Sequence, residues 1–165
     1  MKTLFILRHA KSSWADAEMS DFERPLNDRG LKVAAFMGEL MADKGLEPYL
    51  ILSSPAVRAR TTAEIVKRSG KLDAEIRYEH RIYEASPQTL RQTISEIDGA
   101  YRSVLLVGHN PGIEGLIRFL TGEIEPVPTA ALAVIDLNLD EWPYIDEGRG
   151  TLRKLYRPKE EMSQR

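Results

Sequence analysis

The chain has 165 residues, 42% of them hydrophobic, with 23 basic against 25 acidic side chains, a formal net charge of -2 and no cysteine. That length and apolar content suit one domain, residues 1–165, with a proper core. The lack of cysteine excludes disulfides, zinc–thiolate sites and thiol nucleophiles and suits a reducing compartment. The near-neutral charge argues against a nucleic-acid or membrane-surface binder, and no apolar run is long enough to span a bilayer. A cytoplasmic protein is expected.

Thr3 to Leu7 is an apolar run with β-branched and aromatic members, which predicts a buried strand. It stops at Arg8 and His9, where a polar loop begins and runs to about Asn27; Trp14, Phe22 and Pro25 are expected to pack that loop onto the body. Asn27 or Asp28 can cap a helix to about Lys44, with Leu31, Ala34, Ala35, Gly38 and Met41 on one side and Gly45 as its stop. Tyr49 to Ser53 predicts the next strand, followed by the turn Ser53-Ser54-Pro55 and a helix from about Ala56 to Ser69. Glu75 to Tyr78 is a short strand, and His80 to Ala85 shows no period. Ser86-Pro87 opens a third helix, whose buried stripe is Leu90, Ile94 and Ile97. Ser103 to Val107 is strongly strand-like and delivers Gly108-His109-Asn110-Pro111-Gly112 at its end. The next helix spaces Ile113, Leu116, Ile117 and Leu120 at i, i+3, i+4 and i+7 and closes at Gly122. Ala131 to Leu139 and Thr151 to Tyr156 predict two last strands, and the charged tail from Pro158 is expected to fray.

Strands alternating with helices predict an α/β fold, a three-layer α/β/α sandwich around a mostly parallel central sheet. The last two strands have no helix between them, so an antiparallel edge is expected. In a parallel sheet the carboxyl ends of Thr3–Leu7, Tyr49–Ser53 and Ser103–Val107 meet at one edge, where such folds bind ligands. Arg8 and His9, Arg58 just beyond Ser53-Ser54-Pro55, and His109 would then share one pocket, suited to a doubly charged tetrahedral anion. Ser12, Ser54 and Asn110 are further candidates for ligand contact, although turn chemistry accounts for them equally well. Arg24 in the long loop could bind an anionic substrate, but surface arginines are common and it is read as one of them.

Leu7-Arg8-His9-Ala10-Lys11-Ser12, Ser53-Ser54-Pro55-Ala56-Val57-Arg58-Ala59 with Thr61-Thr62-Ala63, and Val107-Gly108-His109-Asn110-Pro111 resemble, in order and spacing, the motifs of the histidine phosphatase superfamily, which has the phosphoglycerate mutase-like fold. The resemblance is strongest to its short, single-domain phosphohistidine phosphatases and covers nearly the whole chain. The family's Arg-His-Gly signature stands here as Arg8-His9-Ala10, as it also does in short members of this kind. The resemblance implies a phosphatase in which His9 is the nucleophile and carries a covalent phosphoryl group. Arg8, Arg58 and His109 would hold the phosphoryl oxygens, and the arginines would depress the His9 pKa. No metal or other cofactor is implied. Members acting on alkyl phosphates carry a carboxylic acid that protonates the leaving oxygen. The candidates here are Glu84 and His80, the latter standing where a mutase-like pattern has glutamate. The implied substrate is a phosphorylated protein carrying phosphohistidine. The alternatives are small phosphate monoesters such as sugar or nucleotide phosphates, or a phosphate-binding module without catalysis.

Overall fold

The computed structural model describes residues 1–164. Its elements in chain order are β1 (Lys2–Arg8), α1 (Asp28–Asp43), β2 (Leu50–Ser53), α2 (Val57–Ser69), β3 (Glu75–Tyr78), α3 (Pro87–Ser95), β4 (Ser103–Gly108), α4 (Gly112–Thr121), β5 (Leu132–Leu137), β6 (Gly150–Tyr156) and α5 (Pro158–Met162). Single 3-10 turns lie at His80–Ile82 and Trp142–Tyr144. The six strands form one sheet in the order β3-β2-β4-β1-β5-β6. β3, β2, β4 and β1 run parallel, whereas β5 is antiparallel to both β1 and β6, which gives the expected antiparallel edge.

The apolar runs are continuous because helices cover both faces of the sheet. Successive side chains point to opposite faces. Leu4, Ile6, Leu52, Val104 and Leu106 therefore enter the core with Leu90, Leu116 and Trp142, while Phe5, Leu7, Ile51, Leu105 and Val107 enter the other with Val33, Met37 and Val66. Fully burying a side chain of this size contributes about 1.5–3 kcal/mol relative to exposure, so the central strands, buried on both faces, are strongly held.

Local signals set the helix ends. Asn27, not Asp28, caps α1, its side chain accepting from the Gly30 amide at 2.7 Å. Ser86 caps α3, and Gly122 ends α4 in the left-handed conformation at φ 77. The buried stripe of α1 is Gly30, Val33, Ala34, Met37, Leu40 and Met41; Leu31 lies one position round the helix from it and is 42% exposed, contrary to the expected face. Gly30 is required by close approach: a Cβ there would stand 2.1 Å from the Lys11 carbonyl oxygen. That contact closes the long loop, together with bonds from Asn27 N to Lys11 O (3.0 Å) and Ser13 N to Pro25 O (2.8 Å) and a Ser12–Leu26 bridge. The loop's anchors also differ from expectation. Leu26 and Arg24 are buried, Phe22 is half-buried, and Trp14 and Pro25 are exposed. The tail folds as α5 because Pro158 is buried and Arg157 binds Glu125 at 2.9 Å and the Pro126 carbonyl at 3.1 Å.

Candidate active site

β1 pairs with β4 so that Arg8 lies opposite Gly108, and β2 pairs with β4 so that Ser53 lies opposite Val107. The parallel ladder continues one residue further, through His9 N to Gly108 O and Ser54 N to Val107 O, both at 3.0 Å. Backbone pairing thus fixes His9 beside His109, their ring centroids 5.1 Å apart. Arg58 arrives from the first turn of α2. Thr62, one turn on, bonds the Arg58 carbonyl and accepts from the Ala10 amide at 3.0 Å, tying the helix to the strand end.

Arg8, His9, Arg58, His109, Ser12 and Asn110 line one open cleft of about 420 Å³. Lys11, Trp14 and Arg24 of the long loop and Thr129 complete its wall. His9, His109, Arg58 and Arg24 are each less than a tenth exposed. Among the described residues, six buried side-chain nitrogen or oxygen atoms have no hydrogen-bond partner. Four of them belong to this cleft: the Nε atoms of Arg8, Arg24 and Arg58, and Nδ1 of His109. Buried polar atoms are normally satisfied, so this concentration of unused nitrogens marks a place built for an anion.

The orientation of each ring follows from its partner. His9 Nδ1 lies 2.7 Å from the Ala10 carbonyl oxygen, which can only accept. Nδ1 therefore carries the proton, and Nε2 presents its lone pair. Burial, followed by the charges of Arg58, Arg8 and Arg24, pushes His9 down to about 4, outweighing the pull of the Ala10 carbonyl. The arginines were expected to be the cause; the loss of water matters more. His109 is pushed down to about 3, again by burial first and then by the charges of His9 and Arg58, with Asp21 opposing. Its Nε2 stands 2.8 Å from Ser54 Oγ, which already accepts from the Ala56 amide at 3.2 Å. The Ser54 proton can go to Nε2, in which case His109 carries its own on the unpartnered Nδ1. Both imidazoles are neutral near pH 7.

Ser54 is fully buried and bonds His109 at Nε2, so it meets the histidine and not the cleft. Ser12 is in the wall and bonds Arg24. The Asn110 amide donates to Glu114 at 2.9 Å and to the Val127 carbonyl at 3.0 Å, and Arg8 donates to that same carbonyl at 3.1 Å. Glu84 and His80 do not line the cleft, although Glu84 interacts with Tyr83, whose ring meets His109. Glu84 is exposed at φ 54, and His80 is exposed and stacked on Phe22 at 6.4 Å.

The residue that sequence reasoning missed is Asp21. Its main-chain oxygen accepts from Arg58 at 2.7 Å, and its carboxylate accepts from Arg58 at 3.0 Å, Arg24 at 3.1 Å and the Tyr83 hydroxyl at 2.6 Å. The Tyr83 bond, then those from Arg24 and Arg58, hold its carboxyl well below the usual range. Tyr83 in turn sets its ring edge against His109, with centroids 5.5 Å apart. The only local hint was an acid three residues before an arginine in a loop too long to be idle. Among the described residues, no group of three or more His, Cys, Asp or Glu side chains is placed to hold a metal ion. No helix of the described chain is long and apolar enough to cross a membrane.

The sequence pattern of the histidine phosphatase superfamily (branch 1) matches residues 4–103, more than half of the chain. The chain belongs to the histidine phosphatase superfamily. The chain is 30% identical over 164 residues to an uncharacterized protein of Mycobacterium tuberculosis, covering 93% of this chain and 100% of the relative. Among solved structures it is similar to a protein of Agrobacterium tumefaciens assigned as the phosphohistidine phosphatase SixA, at 33% identity and a TM-score of 0.83, over 95% of this chain and 98% of that one. It is also similar to a protein histidine phosphatase SixA in complex with tungstate, at 25% identity and a TM-score of 0.78, over 96% and 98% of the two chains. The fold is thus the phosphoglycerate mutase-like α/β fold that the three motifs imply. In this chain the signature's third residue, Ala10, is fully buried and supplies both the carbonyl that orients His9 and the amide that holds Thr62.

Proposed function

We propose that the protein is a metal-independent phosphohistidine phosphatase, taking the phosphoryl group of a phosphohistidine in a partner protein onto His9 Nε2 and passing it to water. One observation carries the reading: the His9 Nδ1 proton is given to the Ala10 carbonyl, so the lone pair of Nε2 is the one available in a cleft walled by cationic and neutral donors. Arg8, Arg58 and His109 hold the equatorial oxygens and neutralise charge that spreads over them in the loose transition state, with Ser12 and Asn110 beside them. Nε2 bonds to phosphorus as the bond to the leaving nitrogen breaks, and that nitrogen keeps the electron pair. A substrate ring protonated on its far nitrogen departs as neutral imidazole. Water then attacks phosphorus, the pair of the P–Nε2 bond returns to His9, and dihydrogen phosphate leaves with both of the water's protons.

The make-up of the cleft favours this substrate, because the carboxyl of Asp21, bonded to Arg58, is held ionised and is a poor proton donor. Neither Glu84 nor His80 lines the cleft, nor does any other carboxylic acid among the described residues. An alkoxide would need such a donor. Transfer between two imidazoles is close to thermoneutral and does not. The SixA relatives support the assignment, one of them by holding tungstate, an oxyanion shaped like phosphate. Lack of cysteine suits the cytoplasm, where we place the reaction.

Brief exposure to a phosphohistidine protein should leave an acid-labile, base-stable phosphoryl label on the wild type and none on His9→Ala. Arg58→Ala and His109→Ala should each lose on the order of 10² in rate. A label on another residue, or clear preference for a sugar or nucleotide phosphate in a substrate panel, would overturn the proposal.

A further inference from the structure

Trp14 is out of place for a large aromatic side chain. It is 77% exposed, yet it lines the cleft whose floor holds His9 at 6% exposure. One face of its indole lies against Arg24, with the guanidinium carbon 3.7 Å from the ring centroid. Arg24 cannot easily leave, because Ser12 Oγ accepts from one terminal nitrogen and the Asp21 carboxylate from the other. The indole is therefore steadied on one side and open to solvent on the other. In an in-line displacement the leaving group departs on the side of phosphorus opposite His9, which here means toward the mouth of the cleft. An exposed flat ring fixed in that wall can meet whatever leaves.

We propose that Trp14 is a specificity-determining residue that stacks on a planar ring carried by the leaving group. Under the preceding reading, on which this rests, that ring is the imidazole of phosphohistidine. Phosphoryl donors whose leaving atom belongs to a flat ring are favoured over those with an aliphatic or bare leaving group. The indole adds ring recognition to a floor that recognises only the phosphoryl group. A merely structural Trp14, shielding Arg24, would instead support all substrates alike.

The test compares two substrates that each break a P–N bond, phosphohistidine and phosphoramidate, the second having no ring. In Trp14→Ala the ratio of kcat/KM for phosphohistidine to that for phosphoramidate should fall about tenfold, and Trp14→Phe should largely restore it. Equal losses on both substrates, or no loss, would overturn the inference while leaving the phosphohistidine reading intact. If the wild type cleaves neither P–N bond, that reading fails, and phenyl phosphate against glycerol phosphate then carries the same comparison. A second readout is independent of turnover. The chain has two tryptophans, and Trp142 is fully buried, so the solvent-exposed emission comes from Trp14. Phenylphosphonate should change that emission and methylphosphonate should not; identical responses would count against stacking.

Discussion

Acidification from about pH 7 to about pH 4.5 should cost the native state a definite amount of stability through His9. Burial holds this imidazole at about 4 in the folded protein, against 6.5 for an ordinary histidine. As the pH falls, the unfolded chain therefore binds the proton first. The stability that comes from keeping His9 neutral is complete above about 6.5 and drains as the pH approaches about 4, below which both states are protonated and nothing more is lost. The two binding curves give a loss of about 2 kcal/mol between about pH 7 and about pH 4.5, a sizeable share of the stability of a small domain. His109, at about 3, adds a loss of the same sign that extends to lower pH. Urea unfolding of the wild type and of His9→Gln across this range isolates the His9 part, because glutamine does not titrate. The stability of the wild type relative to the variant should fall by about that amount on acidification. A difference that stays flat with pH would refute the claim that the fold holds this ring neutral, and with it the basis for a nucleophile that stays active in mild acid.

Two further substitutions probe how the cleft is assembled. Asp21→Ala removes the anchor of Arg58, Arg24 and Tyr83 together and should cost on the order of 10² in kcat/KM, whereas Asp21→Asn, which keeps an acceptor but not the charge, should cost about tenfold. Equal activity in all three proteins would mean that Arg58 holds its place without the acid. Ser54→Ala takes away the proton that fixes the His109 tautomer. The nitrogen NMR signals of that ring should move from a single Nδ1–H form to a mixture, with a rate loss of about tenfold; an Nε2–H form in the wild type would show that Ser54 accepts from His109, and an unchanged Nδ1–H form in the variant would show that Ser54 does not fix the tautomer.

The parts of the site that were legible in the sequence share one property: each sits within a few residues of a strand end. Continuous apolar runs located the strands. Parallel pairing then placed Arg8 opposite Gly108 and Ser53 opposite Val107, so that the motifs had to converge. Caps such as Ser86 and stops such as Gly122 were legible for the same reason, since their chemistry is completed within one turn of the chain. The residues that escaped are held by bonds of long sequence separation from within loops. Asp21 meets Arg58 across 37 positions and Tyr83 across 62, and nothing in its local pattern marks it. Trp14 was expected to pack down on hydrophobicity alone. It stays exposed because its partner is a guanidinium, which covers one face of the ring and leaves the other to solvent. Leu31 was misplaced by one step because counting apolar residues cannot tell which edge of a broad stripe the sheet will cover. The same division runs through the chemistry. Groups that would bind the phosphoryl moiety stand on the sheet edge and α2, whose geometry repeats from one α/β fold to another. Groups that would tell one leaving group from another stand on the long loop, whose shape depends on contacts peculiar to this chain. Substrate preference should accordingly be altered by changes at Trp14 that leave the Asp21–Arg58–Arg24 anchor, and with it the His9 reaction, working.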